Sequence, residues 1–236
     1  MTRITPTFAQ QASRAFGQLV RSITDAQLRA LMRAVFYHAG RYEAFCQAPL
    51  ALTGADAAAG SAVRHAIRTG RLLRAVAGSF SPASRDLMMA AALLMSAGAA
   101  EAFDTQGAVR LTSRGRLYPV NMLSALMVHD ARCSIDRAKR ESLEGLILRA
   151  AWYAGEEGAP SPHEHGSECL LQREAQVVAI CMQLDRFAAG QSGERVALPR
   201  PTAVRWSGQT ARHLTLVDPL RKEHDDNTTE PRIATG

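Results

Sequence analysis

Apolar residues recur at three- and four-residue steps along most of the chain, which is the spacing of amphipathic helices. Between Thr7 and about Gly40 this pattern predicts two helices with a break near residues 22–25, where Thr24 could cap the second. The same periodicity predicts further helices, in chain order, at residues 61–76, 85–100, 120–133, 135–153 and 168–189.

Two of these helices differ in how their apolar residues are arranged. Residues 85–100 are apolar around most of the helix circumference, so this helix is expected to be buried at the centre of the core. In the closing helix the residues predicted to face inward are Val177, Val178, Ile180, Cys181, Leu184 and Phe187.

Glycine and proline between residues 104 and 119 predict a loop with a short hairpin.

Composition agrees with an all-α fold. Aromatic residues make up only 6% of the 236 residues, whereas alanine, leucine and methionine are plentiful, which favours helix over sheet. A hydrophobic content of 47% excludes a disordered chain. The predicted organisation is an N-terminal helical extension (1–40), a helical domain (41–190) and an irregular, loosely ordered tail (191–236) with several prolines.

Nothing in the sequence indicates secretion or a membrane. The first twenty residues lack a long apolar core, and the longest apolar run, near residues 87–100, is too short to span a bilayer. The four cysteines are far apart and form no CxxC pair that would suggest a zinc or redox site. We therefore expect a reduced, cytoplasmic protein without a membrane partner or a cofactor.

The net charge of +6 comes from arginine, because Lys139 and Lys222 are the only lysines. Arginine suits bidentate contact with phosphate, but a high-GC genome also favours arginine codons. The candidate polyanion-binding residues stand at steps of four, three and three along one helix face and are Arg64, Arg68, Arg71 and Arg74. They predict binding to nucleic acid or another polyanion. The alternative is a solvated face or a set of ion pairs.

Three stretches carry a family resemblance. They are HAIRTGRLLRAV at 65–76, AALLMSAGAAEAFD at 91–104 and EAQVVAICMQLDRF at 174–187. In this order they resemble HD-domain phosphohydrolases, especially the branch of YhaM-type exoribonucleases and of the N-terminal domain of MobH-type conjugative relaxases. The resemblance spans about residues 41–187. It implies an HD-domain-like helical bundle, and by analogy with relaxases it suggests conjugative, mobile-element biology.

The residues that hold the metal in that family are replaced here. The closing histidine of the first motif falls on Arg74, the His-Asp pair on Met95-Ser96, and the first of two aspartates on Met182. The resemblance therefore implies no metal site and no catalytic residue. It implies a degenerate ligand pocket, in which Arg74 replaces the charge of the metal, formed by His65, Arg74, Ser96 and Asp185.

The leading hypothesis is a non-catalytic, HD-like binding or regulatory module for a phosphate-bearing ligand or nucleic acid. A second hypothesis is an active metal-dependent phosphohydrolase with a diverged site built from His129, Asp130, His163 and His165, with Cys169 close by in sequence. A third is a structural interaction domain in which an exposed N-terminal helix pairs with a second copy or another protein.

Overall fold

The computed structural model describes residues 6–36, 40–155 and 171–190. Helices make up nearly all regular structure in these ranges, which confirms the all-α prediction. The elements are α1 Pro6–Ser22, α2 Ala26–Phe36, α3 Arg41–Gln47, α4 Ser61–Val76, α5 Pro82–Leu94, α6 Ala99–Ala102, β1 Phe103–Asp104, β2 Arg110–Leu111, α7 Ser113–Leu117, α8 Val120–Asp130, α9 Arg137–Tyr153 and α10 Gln172–Gly190.

Helix α5 lies at the centre of the core, as its apolar circumference predicts. Its residues 86–94 are all buried, and it packs against α1, α2, α4, α9 and α10. The helix begins after Ser81, whose hydroxyl accepts a hydrogen bond from the backbone N–H of Ser84, with Pro82 in the first turn. It ends at Leu94, earlier than predicted, and a turn leads into α6.

The N-terminal helices belong to the main body. Aromatic side chains of α1, α2 and α3 interlock, with ring centroids 5.7 Å apart for Phe16 and Phe36 and 5.9 Å apart for Phe16 and Phe45. Buried residues from α1 to α10 form one hydrophobic core. Residues on both sides of the predicted boundary at residue 40 therefore share this core, and the predicted tail (191–236) lies outside the described residues.

The residue that caps the N-terminus of α2 differs from the prediction. Asp25, rather than Thr24, caps α2, because its Oδ1 accepts hydrogen bonds from the N–H groups of Gln27 and Leu28 at 2.8 and 3.1 Å. The Thr24 hydroxyl instead donates to the buried Asp86 at 2.6 Å. Asp86 also accepts from the backbone N–H groups of Thr24 and Asp25, so it fastens the break between α1 and α2 to α5.

Asp25 should make the stability of the fold depend on pH. Burial raises the pKa of its carboxyl, but Lys139, 2.5 Å away, and the capping N–H groups lower the pKa by more, so it lies below that of an ordinary aspartate. A depressed folded pKa contributes stability above the unfolded pKa that is lost as pH falls through the folded pKa. We expect Asp25→Asn, which retains the cap, to lower the free energy of unfolding by about 0.5–1 kcal/mol at neutral pH.

Urea unfolding of the parent and Asp25→Asn proteins at neutral pH and below about pH 3 checks this expectation, since an unpaired aspartate titrates near 3.9. The difference between the two proteins should shrink in acid. An equal difference at both pH values would show that the charge of Asp25 is not the cause.

The segment between α6 and α8 contains the predicted short hairpin. Strands β1 and β2 pair antiparallel, with Phe103 opposite Leu111. Thr112 then caps α7, because its hydroxyl accepts from the N–H of Gly115 at 3.0 Å. Gly115 approaches the backbone of Ala102 so closely that a Cβ would lie 2.2 Å from the carbonyl oxygen. The hairpin and α7 are therefore packed tightly onto α6.

Two other sequence expectations concern membranes and cysteines. Within the described ranges no helix combines the length and apolar character needed to cross a membrane. Cys46, Cys133 and Cys181 are free thiols, whereas Cys169 lies outside the described residues. Burial raises the pKa of the Cys181 thiol to about 11, so this side chain behaves as a neutral core residue.

Candidate functional site

His65 and Asp185, two residues of the predicted degenerate pocket, join α4 to α10 through a buried contact. His65 Nδ1 lies 2.7 Å from Asp185 Oδ2, and each side chain is only 2% exposed. The two residues are 120 positions apart in sequence and meet because α4 and α10 pack side by side. Two of the four predicted pocket residues are thus in direct contact.

Arg68 supplies the permanent positive charge of this cluster. Its Nε lies 2.5 Å from Asp185 Oδ1, an ion pair without the alignment of a hydrogen bond, and its Nη2 donates to Oδ2 at 3.3 Å. The side chain of Arg68 is 43% exposed, so it links the buried carboxylate to the surface. Both oxygens of Asp185 are therefore bound by an arginine or a histidine.

The other two predicted pocket residues have different positions. Ser96 is buried, and its hydroxyl donates to the carbonyl of Ala62, one turn before His65, at 3.1 Å. Arg74 lies nine residues after His65, which corresponds to about 13 Å along α4, and it is exposed. Arg74 is therefore not part of the cluster around Asp185, whereas Arg68 is.

The donor set around His65 does not fit the divalent metal of the resembled family. The Nε2 atom of His65 is buried without a partner among the described residues, and its ring is oriented by a carboxylate, as in many metal-binding histidines. The positions that hold other metal ligands in the resembled family, however, carry Met95 and Met182 here, and Asp185 is already bound to Arg68. A hydrolytic metal needs several imidazole and carboxylate ligands, which the described residues at these positions do not supply.

Thr69 is a member of this region that the sequence analysis missed. Its hydroxyl is fully buried and, like His65 Nε2, has no hydrogen-bond partner in the described part of the chain. The four-residue step from His65 puts both side chains on one face of α4, which is the signal that could have identified Thr69. Burying each of these two polar atoms without a hydrogen bond lowers the stability of the fold by about 1–3 kcal/mol.

Two of the four predicted polyanion-binding arginines are anchored. The Arg64 guanidinium donates to the carbonyl of Ala59 at 2.7 Å and stacks on the ring of Phe8, with 5.0 Å to the centroid. Burial lowers the pKa of Arg64, and the like charge of Arg68 lowers it further. Arg64 and Arg68 are therefore close enough to repel each other, and only Arg68 pairs with a carboxylate.

The other two arginines are available to a ligand. Arg71 and Arg74 are exposed, and neither has an acidic partner in residues 6–36, 40–155 or 171–190. Helix α4 itself contains no aspartate or glutamate. The exposed surface of α4 that carries Arg64, Arg68, Arg71 and Arg74 is called the arginine face below.

The rival metal site is only partly described. His129 and Asp130 are exposed at the end of α8, where His129 Nδ1 lies 3.4 Å from Glu144 Oε1. Burial raises the pKa of Glu144, while His129 acts in the opposite direction. Arg140 donates to the carbonyl of His129 at 2.6 Å and closes this helix end. Residues 163–169 of the second hypothesis lie outside the described residues.

Helix α10 is rotated relative to the prediction. Ile180, Leu184 and Phe187, which were expected to face inward, are 53%, 50% and 45% exposed. The inward residues are Ala175, Val178, Ala179, Cys181, Met182 and Asp185. Both faces of α10 are apolar, so the spacing of apolar residues did not identify the buried face.

Comparisons with protein-family models, with curated proteins and with solved structures found no match to this chain. The HD-like affiliation therefore remains a prediction that rests on three sequence stretches.

Proposed function

We propose that this chain is a non-catalytic binding domain whose arginine face binds a phosphate-bearing ligand or nucleic acid. The observation that carries the proposal is the exposure of Arg71 and Arg74, without a described acidic partner, on a helix that has no acidic residue. The HD-like scaffold and a conjugative setting are further parts of the proposal, and the sequence resemblance is their only support.

Electrostatics favour an anion at this surface. Burial and the positive charge of Arg68 lower the pKa of Arg64, and a nearby anion would offset the repulsion between the two guanidinium groups. Guanidinium groups bind phosphate oxygens bidentately, and a row along a helix can follow a phosphate backbone. Binding of this kind depends strongly on salt and weakly on sequence.

The engagement of Asp185 supports the non-catalytic part of the proposal. A carboxylate bound to both Arg68 and His65 acts as a structural ion pair between α4 and α10. Releasing it to bind a metal or activate water would leave Arg68 and the buried His65 without their partner. We therefore assign the cluster to holding the arginine face in place on the core.

A salt titration of nucleic-acid binding tests the proposal. We expect Arg71→Gln/Arg74→Gln to weaken binding of a labelled single-stranded RNA at least tenfold, measured by fluorescence anisotropy of the full chain. Because two phosphate contacts are lost, the negative slope of log K against log salt should become less steep by about 1.4. Inorganic polyphosphate as a competitor reports binding of phosphate without bases.

The matched control is Arg33→Gln/Arg116→Gln, which removes two exposed arginines from α2 and α7. This variant should bind like the parent protein. Equal weakening in both variants would mean that net charge alone drives binding, and unchanged binding in the α4 variant would overturn the proposal.

The N-terminal helix is a weaker candidate for the interaction hypothesis. The exposed face of α1 is polar and carries Gln10, Arg14, Gln18 and Arg21, while its apolar face packs on α4 and α5. A helix that pairs with another protein normally presents apolar anchors. The apolar exposed residues of α10 are better suited to this role.

A further inference from the structure

The outward surface of α10 has the pattern of a helix-pairing seam. Val177, Ile180, Leu184 and Phe187 follow one another at steps of three, four and three, the spacing of core positions in a coiled coil. The last three are about half exposed and lie opposite the buried face of α10. These four residues are called the α10 stripe.

The arginine face lies on a helix that packs against α10. Asp185, on the inward face of α10, pairs with the half-exposed Arg68, and Arg71 follows Arg68 by about one turn on α4. The two acidic residues of α10 are both engaged, because Glu174 accepts a hydrogen bond from Ser84 at 3.0 Å. The two packed helices therefore combine exposed apolar residues on α10 with arginines on α4.

We propose that the α10 stripe binds an amphipathic helix of a partner protein, with acidic residues on the side that faces Arg68 and Arg71. The three exposed anchors span about 10 Å, or two helical turns, which suits a helix laid lengthwise. An acidic flank complements the arginines. This inference goes beyond the proposed function, because an apolar seam is not needed to bind phosphate.

The charge of α4 and the small size of the exposed stripe favour a partner helix over a second copy of the chain and over a lipid surface. A second copy of the chain docked on the same stripe would bring arginine faces close together, and like charges would oppose the contact. A lipid surface is favoured by a deep apolar face, whereas here the stripe offers three half-exposed anchors on a helix fixed to the core. A partner helix makes use of both the seam and the flanking charge.

Binding of a synthetic peptide by the full chain tests this inference. The probe is a helical peptide of about 18 residues with leucine at seam positions and glutamate elsewhere, compared with the same peptide carrying lysine. We expect the glutamate peptide to bind at least tenfold more tightly than the lysine peptide. Ile180→Ser/Leu184→Ser should weaken its binding at least tenfold, measured by fluorescence anisotropy.

The matched control is Leu52→Ser/Leu117→Ser, which removes two exposed leucines elsewhere, at 49% and 74% exposure. It should bind the glutamate peptide like the parent protein, and circular dichroism verifies that both variants are folded. Equal binding of both peptides, or no effect of the stripe variant, would overturn the inference.

Two further results would overturn it by identifying another occupant. One is a dimer in sedimentation that dissociates in Ile180→Ser/Leu184→Ser. The other is binding to phosphatidylserine vesicles that needs the stripe while the peptide is not bound. Because the stripe variant retains all four arginines of α4, its RNA affinity should stay unchanged, so this inference and the proposed function can fail separately.

Discussion

Replacing Asp185 with Asn is expected to lower the free energy of unfolding by about 3 kcal/mol, measured by urea unfolding of the full chain. The carboxylate is buried against His65 and Arg68, with contacts of 2.7 and 2.5 Å. Removing its charge leaves the guanidinium without a counterion and the buried imidazole with a neutral neighbour. The partial exposure of Arg68 lets water replace some of the lost interaction, which limits the effect.

Two control variants separate the charge from the packing. His65→Leu should cost less than Asp185→Asn, because Asp185 still pairs with Arg68. The double variant His65→Leu/Asp185→Leu should be more stable than Asp185→Asn, since apolar side chains replace the buried pair and Arg68 can turn to solvent. Wild-type stability of Asp185→Asn would show that this ion pair does not hold α10 on α4.

The longer helices could be predicted from the sequence because their apolar periodicity is strong, whereas α3 and α7 were not predicted and are too short to show a period. The central position of α5 follows from its apolar circumference, and its start follows from Ser81 and Pro82. The orientation of α10 could not be predicted, because Ile180 on one face and Val178 on the other are equally apolar. Which face is buried depends on the neighbouring helices, and periodicity does not contain that information.

The sequence predicted the site residues correctly only where a motif residue lies on the side of its helix that faces the site. His65 and Asp185 come from two motifs, and the structure brings them into contact. Arg74 was chosen by its place in the motif, yet nine residues at 100° each put it on the opposite side of α4 from His65. Arg68, three residues after His65, shares its side of the helix and reaches Asp185 instead.

Gly98→Ala is expected to lower the free energy of unfolding by about 3 kcal/mol, because the turn after α5 touches the backbone of α8. A Cβ on Gly98 would lie 2.1 Å from the carbonyl oxygen of Val120 and 2.7 Å from Leu123 Cβ. The Gly98 N–H also donates to the Ser124 hydroxyl at 2.8 Å, and that hydroxyl donates to the carbonyl of Met95 at 2.8 Å. Chemical denaturation measures the loss.

Gly145→Ala is the matched control, because a Cβ at this position in α9 would meet no atom within 4 Å. It should raise the free energy of unfolding by about 0.5–1 kcal/mol, since alanine favours helix. Opposite signs for the two substitutions would show that Gly98 is required by the packing of α8 against this turn. Close packing would then explain the glycine of the second sequence stretch, and no metal site is needed to explain it. If Gly98→Ala left the stability unchanged, this glycine would have no structural explanation.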